Sequence, residues 1–415
     1  MNSKQNVTVI GAGIIGMACA SYLQRDGHAV TVIARSGPGE DCSFGNAGLL
    51  SPGSVVPPAV PGAWRNIPRW LMNPLGPLAI RWSYAPRLLP WLAGWLRSCR
   101  EDRAREISRA LAVLHAPVFE NYAPLLADAG AAHLIQRTGQ LYVSEQEGGA
   151  AGSAFAQAPR ADARIRTESM SGEAAREMEP ALGRRYRSAL FFPDNGHSTS
   201  SFRLVQALAA NFQRAGGTLL ERSVAGFDIG VDGPRQLLTD AGPLPVETLV
   251  IAAGAWSHRL AGQLGTHIPL EAERGYHLML PRPGITPRIP LVNRDHNFTL
   301  TPMDTGLRLA GTAEFAGVDA PPDYRRARIL LELGRRTLPG LDGEGATEWM
   351  GSRPSLPDGL PVIDRSPNFP RVFFAFGHAH FGLTEAPTTG RLIAEMMAGR
   401  PPSIATGPYR ATRFS

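Results

Sequence analysis

Two short, mostly apolar runs of the same sequence, VTVI, stand at residues 7–10 and 30–33. Between them lie the glycine turn GAGIIG and a segment with the apolar spacing of an amphipathic helix. Strands of this kind, joined by a helix, are typical of a parallel βαβ unit. The pattern therefore predicts a Rossmann-like nucleotide-binding fold at the start of the chain.

The same order of elements returns near the end, where residues 372–399 read as strand, glycine-rich loop and helix. The runs HLML, FTLTPM and LRLAGT within 268–315 are separated by turn residues, which indicates a mostly antiparallel sheet. The Gly/Ala-rich stretch 146–163 is predicted to be a loop. Helical spacing covers 85–98, 103–130, 201–217 and 326–339.

These elements predict a chain of the α/β (α+β) class in which a second domain is inserted into the nucleotide-binding domain. We assign 1–60, 166–265 and 341–415 to the nucleotide-binding domain, 61–165 to a helical lid and the start of the substrate domain, and 266–340 to the antiparallel sheet of the substrate domain.

The composition excludes several classes of protein. The net charge is +6, but the arginines are scattered and no basic run suits a nucleic-acid phosphate backbone. Cys19, Cys42 and Cys99 have no CxxC spacing, which indicates neither a disulfide framework nor a zinc site. No charged-then-apolar leader is visible, and no apolar run reaches the roughly 18–20 residues that span a bilayer. We expect a cytoplasmic protein, with a peripheral contact to the membrane as an option.

The glycine turn has the spacing that binds a dinucleotide pyrophosphate. Gly11, Gly13 and Gly16 allow the tight turn, the approach of the backbone to the phosphates and the close packing of helix on strand. The free N–H groups at the start of the helix favour an anion. A glycine turn that binds nothing is the alternative.

The end of the second VTVI run lacks the acid that usually binds the adenosine ribose. Ala34 occupies that place and is followed by Arg35 and Ser36. An arginine without a neighbouring acid is typical of a site for the 2′-phosphate of NADP. Taken alone, this end of the strand favours NADP, and FAD held without the acid is the other option.

The C-terminal loop FGHAHFGLT favours a flavin. Gly377 and Gly382 flank His378 and His380, and a helix begins near Thr384. Loop N–H groups and a helix N-terminus suit the electron-rich edge of a reduced flavin, whereas reduced nicotinamide is neutral. The alternative is that these are ordinary loop histidines bonded to the backbone.

Arg353, in EWMGSRPSLPDGLPVID, is a candidate for binding a substrate carboxylate. Its planar fork matches a carboxylate bidentately, and a buried arginine needs a partner. A structural salt bridge to Asp358 or Asp364 is the alternative.

Taken together, GAGIIG, SFGNAGLLSPG, VIAAGAWS, ERGYHL, WMGSRPSLPDGLPVID and FGHAHFGLT resemble the D-amino-acid oxidase/dehydrogenase family of FAD-dependent oxidoreductases. The resemblance spans nearly the whole chain. SFGNAGLLSPG and RPSLPDGLPVI are most similar to the bacterial D-amino-acid dehydrogenases, in particular those that act on cis-4-hydroxy-D-proline. The family usually has an acid where this chain has Ala34, so we expect Arg35 or Ser36 to contact the ribose instead.

The resemblance implies FAD as the cofactor and a set of site residues. The residues implied to hold FAD are Gly11, Gly13, Gly16, Ser43, Asn46, Ala47, Gly48, Leu49, Gly254, Trp256, Gly377, His378, Gly382, Leu383 and Thr384. Arg353 would bind the substrate carboxylate, with Tyr276, His277 and His296 lining the pocket. The implied reaction is hydride transfer from the substrate Cα to flavin N5, which yields an imine.

The lysine content of the chain bears on the electron acceptor. Some related amine oxidases use a lysine beside the flavin to activate oxygen, and Lys4 is the only lysine of this chain. This favours a dehydrogenase that passes electrons to a quinone or another carrier. The alternatives are a glycine- or sarcosine-type oxidase that uses O₂, an NADP-dependent reductase and a non-catalytic FAD-bearing subunit.

Five of the seven tryptophans lie between 64 and 100, among prolines and arginines. Tryptophan and arginine suit a membrane interface. This segment is therefore either a peripheral membrane contact or a packed helical lid over the flavin.

Overall fold

The computed structural model describes residues 4–67, 72 and 76–414. The strands of the described residues are β1 (Asn6–Ile10), β2 (Ala29–Ala34), β3 (Leu49–Leu50), β4 (Leu78–Ile80), β5 (Ile135–Gln136), β6 (Gln140–Ser144), β7 (Glu168–Ser171), β8 (Ser188–Phe192), β9 (Gly196–Ser198), β10 (Thr218–Glu221), β11 (Val224–Gly230), β12 (Gly233–Thr239), β13 (Gly242–Pro245), β14 (Thr248–Ile251), β15 (Glu271–Leu280), β16 (Leu291–Asn293), β17 (Phe298–Met303), β18 (Gly306–Phe315), β19 (Thr347–Ser355), β20 (Val362–Arg365) and β21 (Val372–Phe376).

The α-helices of the same residues are α1 (Ile14–Arg25), α2 (Ala85–Ser98), α3 (Glu101–His115), α4 (Val118–Ala129), α5 (Ala154–Asp162), α6 (Gly172–Met178), α7 (Ser201–Arg214), α8 (Ser257–Gln263), α9 (Arg325–Thr337) and α10 (Gly382–Met397). No helix of the described residues is both long and apolar enough to cross a membrane.

The first sheet has the order β10-β2-β1-β14-β21-β20, and its strands are parallel except for the edge strand β20. Its apolar strands bury both faces. Val9, Val250 and Phe373 pack with α1, α7 and α10 on one face. Ile251 and Phe374 pack on the other face with α8 and the three-stranded sheet β11-β12-β13. The predicted Rossmann-like domain is confirmed in this sheet.

The second sheet runs β19-β15-β18-β17-β16-β6-β8-β7, with β4 beside β18, and it is mostly antiparallel. Leucines on β15 and β18 pack with Leu330 of α9 on one face. Its other face turns toward the loop that follows β2, as described below.

The structure corrects the predicted domain bounds in two places. β7 and β8 (within 166–265) and β19 (within 341–415) belong to the second sheet. The reason is register: β19 pairs with β15 along its whole length, and β8 pairs with β6.

Two local predictions were also wrong. Helix α5 forms within the predicted loop 146–163, because the Ser153 hydroxyl accepts a hydrogen bond from the N–H of Ala156 and caps it. The single helix predicted over 103–130 is two helices, α3 and α4, with Pro117 at the start of the second.

Candidate active site

A cavity of about 490 Å³ lies at the carboxyl ends of β1, β2, β14 and β21. This is where open parallel sheets bind their ligands. The lining comprises 10–15, 33–37, 39, 41–43, 46, 222–225, 252–256, 259, 260, 263, 352, 354, 375, 376, 378, 379, 382 and 383. The cavity therefore runs from the first glycine turn to the C-terminal loop.

The glycine turn lines the cavity with backbone. Gly11 has a φ of +112°, and a Cβ at Gly16 would overlap the carbonyl oxygen of Gly11. The first N–H of α1, on Ile14, donates to the Ser43 hydroxyl over 3.0 Å. Gly13, the N-cap, has no side chain to cap the helix, so the other N–H groups of its first turn are open to an anion.

Arg35, which follows β2, has two partners within the chain. Its guanidinium carbon is 3.6 Å from the centroid of the Trp256 ring, and its Nη2 is 2.8 Å from Oδ1 of Asp41. Arg222, whose N–H donates to the carbonyl oxygen of Ala34 over 2.8 Å, also lines this end of the cavity. Two arginines thus stand beside the place where the sequence lacks an acid.

The C-terminal loop brings His378 and the start of α10 to the opposite end of the cavity. His378 Nε2 is 2.9 Å from the Thr389 hydroxyl, while its buried Nδ1 has no hydrogen-bond partner among the described residues. Burial lowers the pKa of His378 to about 3, so the ring is neutral. α10 begins at Gly382 without a side-chain cap. A buried unpaired ring nitrogen and free helix N–H groups fit the polar edge of a flavin.

Most of the residues predicted to hold the cofactor line the cavity: Gly11, Gly13, Arg35, Ser36, Ser43, Asn46, Gly254, Trp256, His378, Gly382 and Leu383. The lining does not include the other six predicted residues, which are Gly16, Ala47, Gly48, Leu49, Gly377 and Thr384. The Thr384 hydroxyl instead accepts from the N–H of Ser51 and bonds to the carbonyl oxygen of Leu49, which ties this loop to α10. A Cβ at Gly377 would overlap Leu356, so this glycine serves packing.

Sequence reasoning missed another segment of the lining, residues 222–225. It also missed Asp41 and Cys42. Residues 222–225 follow β10, which pairs in parallel with β2. Carboxyl ends of adjacent parallel strands meet at one edge, so the position of β10 in the sheet was the signal that could have identified them.

Arg353 is not among the lining residues, although its neighbours on β19, Ser352 and Pro354, are. Its Nη1 donates to Oε1 of Glu273 over 2.8 Å and to the carbonyl oxygen of Thr312 over 3.0 Å. The salt bridge predicted as an alternative therefore forms with Glu273, on β15. Asp358 pairs with Arg413, and Asp364 accepts from the N–H of Ala411.

The structure separates the residues of the ERGYH motif onto two faces of β15. Glu273 and His277 lie on the face of Arg353, because Glu273 pairs with Arg353 and His277 with Trp349 in the register of β15 and β19. Tyr276 points to the opposite face. Its hydroxyl donates to Oε2 of Glu314 over 2.5 Å and accepts from the N–H of Asp323 over 3.0 Å.

The prediction that Tyr276 lines the substrate pocket is therefore wrong, because its neighbours belong to the side of the sheet that α9 covers. His296 lies in the turn between β16 and β17, where its N–H donates to Asn293, and it does not line the cavity. The structure does not bring it to Arg353.

His277 lies on the expected face, but its ring already has contacts with other residues of the chain. Its ring stacks on Trp349 with centroids 5.0 Å apart, and its Nδ1 is 3.1 Å from the carbonyl oxygen of Gly45. Burial, with the charge of Arg308, lowers its pKa to about 3. His277 thus fixes the loop that carries Ser43 and Asn46.

Comparisons with known proteins agree with this geometry. The family described as DAO, FAD dependent oxidoreductase, matches residues 6–396. The chain is 35% identical to a D-amino-acid oxidase of Bradyrhizobium diazoefficiens over 100% of both chains. It is 32% identical to a D-amino acid dehydrogenase of Paramagnetospirillum magneticum over 99% of both.

A solved structure, the L-proline dehydrogenase from P. horikoshii, superposes with a TM-score of 0.74 at 20% identity, covering 100% of this chain and 98% of that one. At that identity the likeness concerns the fold. With a family match over nearly the whole length and a cavity whose backbone fits FAD, the chain belongs to the DAO family of FAD-dependent oxidoreductases.

Proposed function

We propose that this protein is a D-amino-acid dehydrogenase whose substrate is D-proline or cis-4-hydroxy-D-proline. The observation that carries the proposal is the position of Arg353, a cation on the same face of the second sheet as His277, which contacts the loop whose Ser43 and Asn46 line the cavity. The names of the relatives that match over the full length support the same class of substrate.

Arg353 has donors left for a substrate carboxylate. Both of its hydrogen bonds within the described residues use Nη1, and its side chain is 20% exposed. Its Nη2 and Nε are therefore free to bind a carboxylate, which holds the substrate in one orientation. Tyr276 has no part in this clamp.

FAD, when bound, supplies the hydride acceptor. We propose that Gly11, Gly13 and Ser43 hold its pyrophosphate end, and that His378, Gly382 and Leu383 hold its flavin end. The chain's contribution is then orientation of the substrate and stabilisation of charge at the N-terminus of α10.

The acceptor of the electrons is proposed to be a quinone or another carrier. Within the part of the chain that the structure describes, Lys4 stands next to β1 and no lysine lines the cavity. Steady-state turnover with a water-soluble quinone, measured beside oxygen uptake, tests this proposal. Rapid peroxide formation in air would instead identify an oxidase.

The substrate is tested in the same assay. D-proline, cis-4-hydroxy-D-proline, D-alanine, glycine, sarcosine and the L-forms are compared at equal concentration. We expect the two D-proline compounds to have the largest kcat/KM. Turnover of glycine or sarcosine alone would contradict the proposed substrate.

A surface formed by α2 and the turn just before it supports docking at a membrane from the cytoplasmic side. Trp82, Leu89 and Leu96 are spaced seven residues apart and are 76%, 62% and 49% exposed. Arg87 and Arg97 are exposed beside them. Trp70 of the same segment lies outside the described residues.

The other face of α2 packs on the substrate domain. Trp91 is buried, and its Nε1 donates to the carbonyl oxygen of Ser355 over 3.1 Å. The lid and membrane interpretations are therefore compatible. We propose that the protein binds the membrane peripherally through the exposed face and reduces a membrane quinone there.

A further inference from the structure

The ion pair between Arg353 and Glu273 joins two charges beside the cofactor cavity. Each side chain is 20% exposed. Ser355 also donates to Glu273, from its hydroxyl to Oε2 over 2.9 Å. Glycine at position 275 leaves room for the arginine, since a Cβ there would overlap the guanidinium. The chain thus holds an anion and a cation side by side at the place proposed for the substrate.

We propose that Glu273 binds the cationic amine of the substrate while Arg353 binds its carboxylate. The inference rests on the proposed function and deepens it, because it names the zwitterion as the species recognised. In the free protein the two side chains neutralise each other. An amino acid in zwitterionic form carries the complementary pair of charges, so both side chains keep a partner when it binds.

A carboxylic acid without an amine offers only half of that match. It would place a second carboxylate beside the partly buried Glu273 with no second cation to balance it, which costs free energy. The Arg353–Glu273 pair therefore selects against simple carboxylic acids, in the way that an unpaired charge rejects the wrong partner at other specific sites.

The surroundings keep Glu273 ionised. Burial acts to raise the pKa of Glu273, but Arg353, His380 and the Ser355 hydroxyl outweigh it, and the pKa is lowered. His380 and Cys42 are the other titratable groups that interact with the pair, and burial lowers the pKa of His380 to about 4 and raises that of Cys42 to about 11. Glu273 is accordingly the group in this cluster that can offer a negative charge to an amine.

The test uses two unreactive ligands of nearly the same shape on the FAD-loaded protein. D-2-methylproline has an amine but no Cα–H, and tetrahydrofuran-2-carboxylate has an ether oxygen in place of the amine. Their affinities are measured by isothermal titration calorimetry. We expect the wild type to prefer the amine by at least about tenfold.

In Glu273→Gln, D-2-methylproline should bind about tenfold or more weakly, whereas tetrahydrofuran-2-carboxylate should bind as well as or better than before, because Arg353 is released. Glu273→Asp, which keeps the charge, should retain the preference for the amine. Glu348→Gln, which removes a half-buried carboxylate on the same sheet that pairs with Arg328, should change neither affinity.

If Glu273→Gln weakens the binding of both ligands equally, Glu273 only positions Arg353. If both affinities are unchanged, Glu273 is not part of the site. Either result overturns the inference. Arg353→Gln tests the proposed function separately from this inference, and it should weaken the binding of both ligands. If Arg353→Gln changes neither affinity, the carboxylate clamp itself is wrong.

Discussion

The guanidinium of Arg35 lies 3.6 Å from the centroid of the Trp256 ring and is paired at the same time with Asp41. Stacking and the ion pair together give this arginine two partners within the chain, at the end of the cavity next to β2. With these partners the arginine does not need a 2′-phosphate to balance its charge. The pattern Ala34-Arg35, which favours NADP in the sequence, thus has a structural explanation that is compatible with FAD.

Ala34→Glu should strengthen the binding of FAD. The side chain would restore a hydrogen bond to the ribose in the part of the cavity lined by Arg35 and Arg222. One such charged hydrogen bond is worth about 1.5–3 kcal/mol, roughly a 10- to 100-fold change in affinity. The measurement is quenching of FAD fluorescence on titration with apoprotein. Ala34→Gln is the control for size, and weaker binding by Ala34→Glu would contradict the assignment.

Gly275→Ala should impair substrate binding without loss of FAD. The new methyl group would overlap the guanidinium of Arg353 and displace it. Overpacking of this kind costs about 1–3 kcal/mol, so we expect KM for the amino acid to rise about tenfold or more. FAD content, read from the visible spectrum, should stay at the wild-type level. Gly407→Ala, whose methyl group meets nothing, is the control, and an unchanged KM in Gly275→Ala would count against the position of Arg353.

The protein should lose stability as the pH falls below about 6.5. Burial lowers the pKa of His277 and of His378 to about 3 and that of His197 to about 4. Unfolded histidines bind protons near pH 6.5, so acid favours the unfolded state down to the lowered pKa. Each buried histidine contributes a slope of about 1.4 kcal/mol per pH unit within that window.

Denaturant unfolding at pH 7.5, 6.5 and 5.5 measures this slope. His197→Gln should reduce it, because one buried group no longer titrates. His133→Gln, at an exposed position, should leave it unchanged. An equal slope in all three proteins would show that His197 does not contribute.

The double variant Trp82→Ser/Leu89→Ser should lose membrane binding and keep turnover with a soluble quinone. These two side chains, one just before α2 and one on it, are the most exposed of the three apolar side chains on this surface. Flotation with vesicles that contain anionic lipid gives the bound fraction. Val231→Ser, which removes a side chain that is 92% exposed on another surface, is the control. Equal flotation of all variants would exclude this face as the membrane contact.

The local patterns of the sequence were enough to predict the Rossmann-like sheet, the glycine turn and the closing strand, loop and helix. These local patterns could not predict contacts that depend on the register between strands. The partner of Arg353 is Glu273, a residue far away in sequence, because β15 and β19 pair along their length. Asp358 and Asp364 are nearer in the chain but point elsewhere.

The ERGYH motif shows the same limit at the level of single residues. Its members alternate between the two faces of β15, so Glu273 and Tyr276 serve different sides of the sheet. The face that turns to the cofactor depends on where α9 packs, and that is a tertiary property. β19 likewise follows the helix α9 in sequence but joins β15 in space.

The central claim is that the protein carries FAD and that D-amino acids reduce it. The most direct measurement records the flavin absorption of the purified protein without oxygen while D-proline, cis-4-hydroxy-D-proline, their L-forms and NADPH are added in turn. We predict that the flavin band is bleached by the D-amino acids and not by the L-forms or NADPH. Bleaching by NADPH alone, or a protein that binds no flavin, would contradict the account.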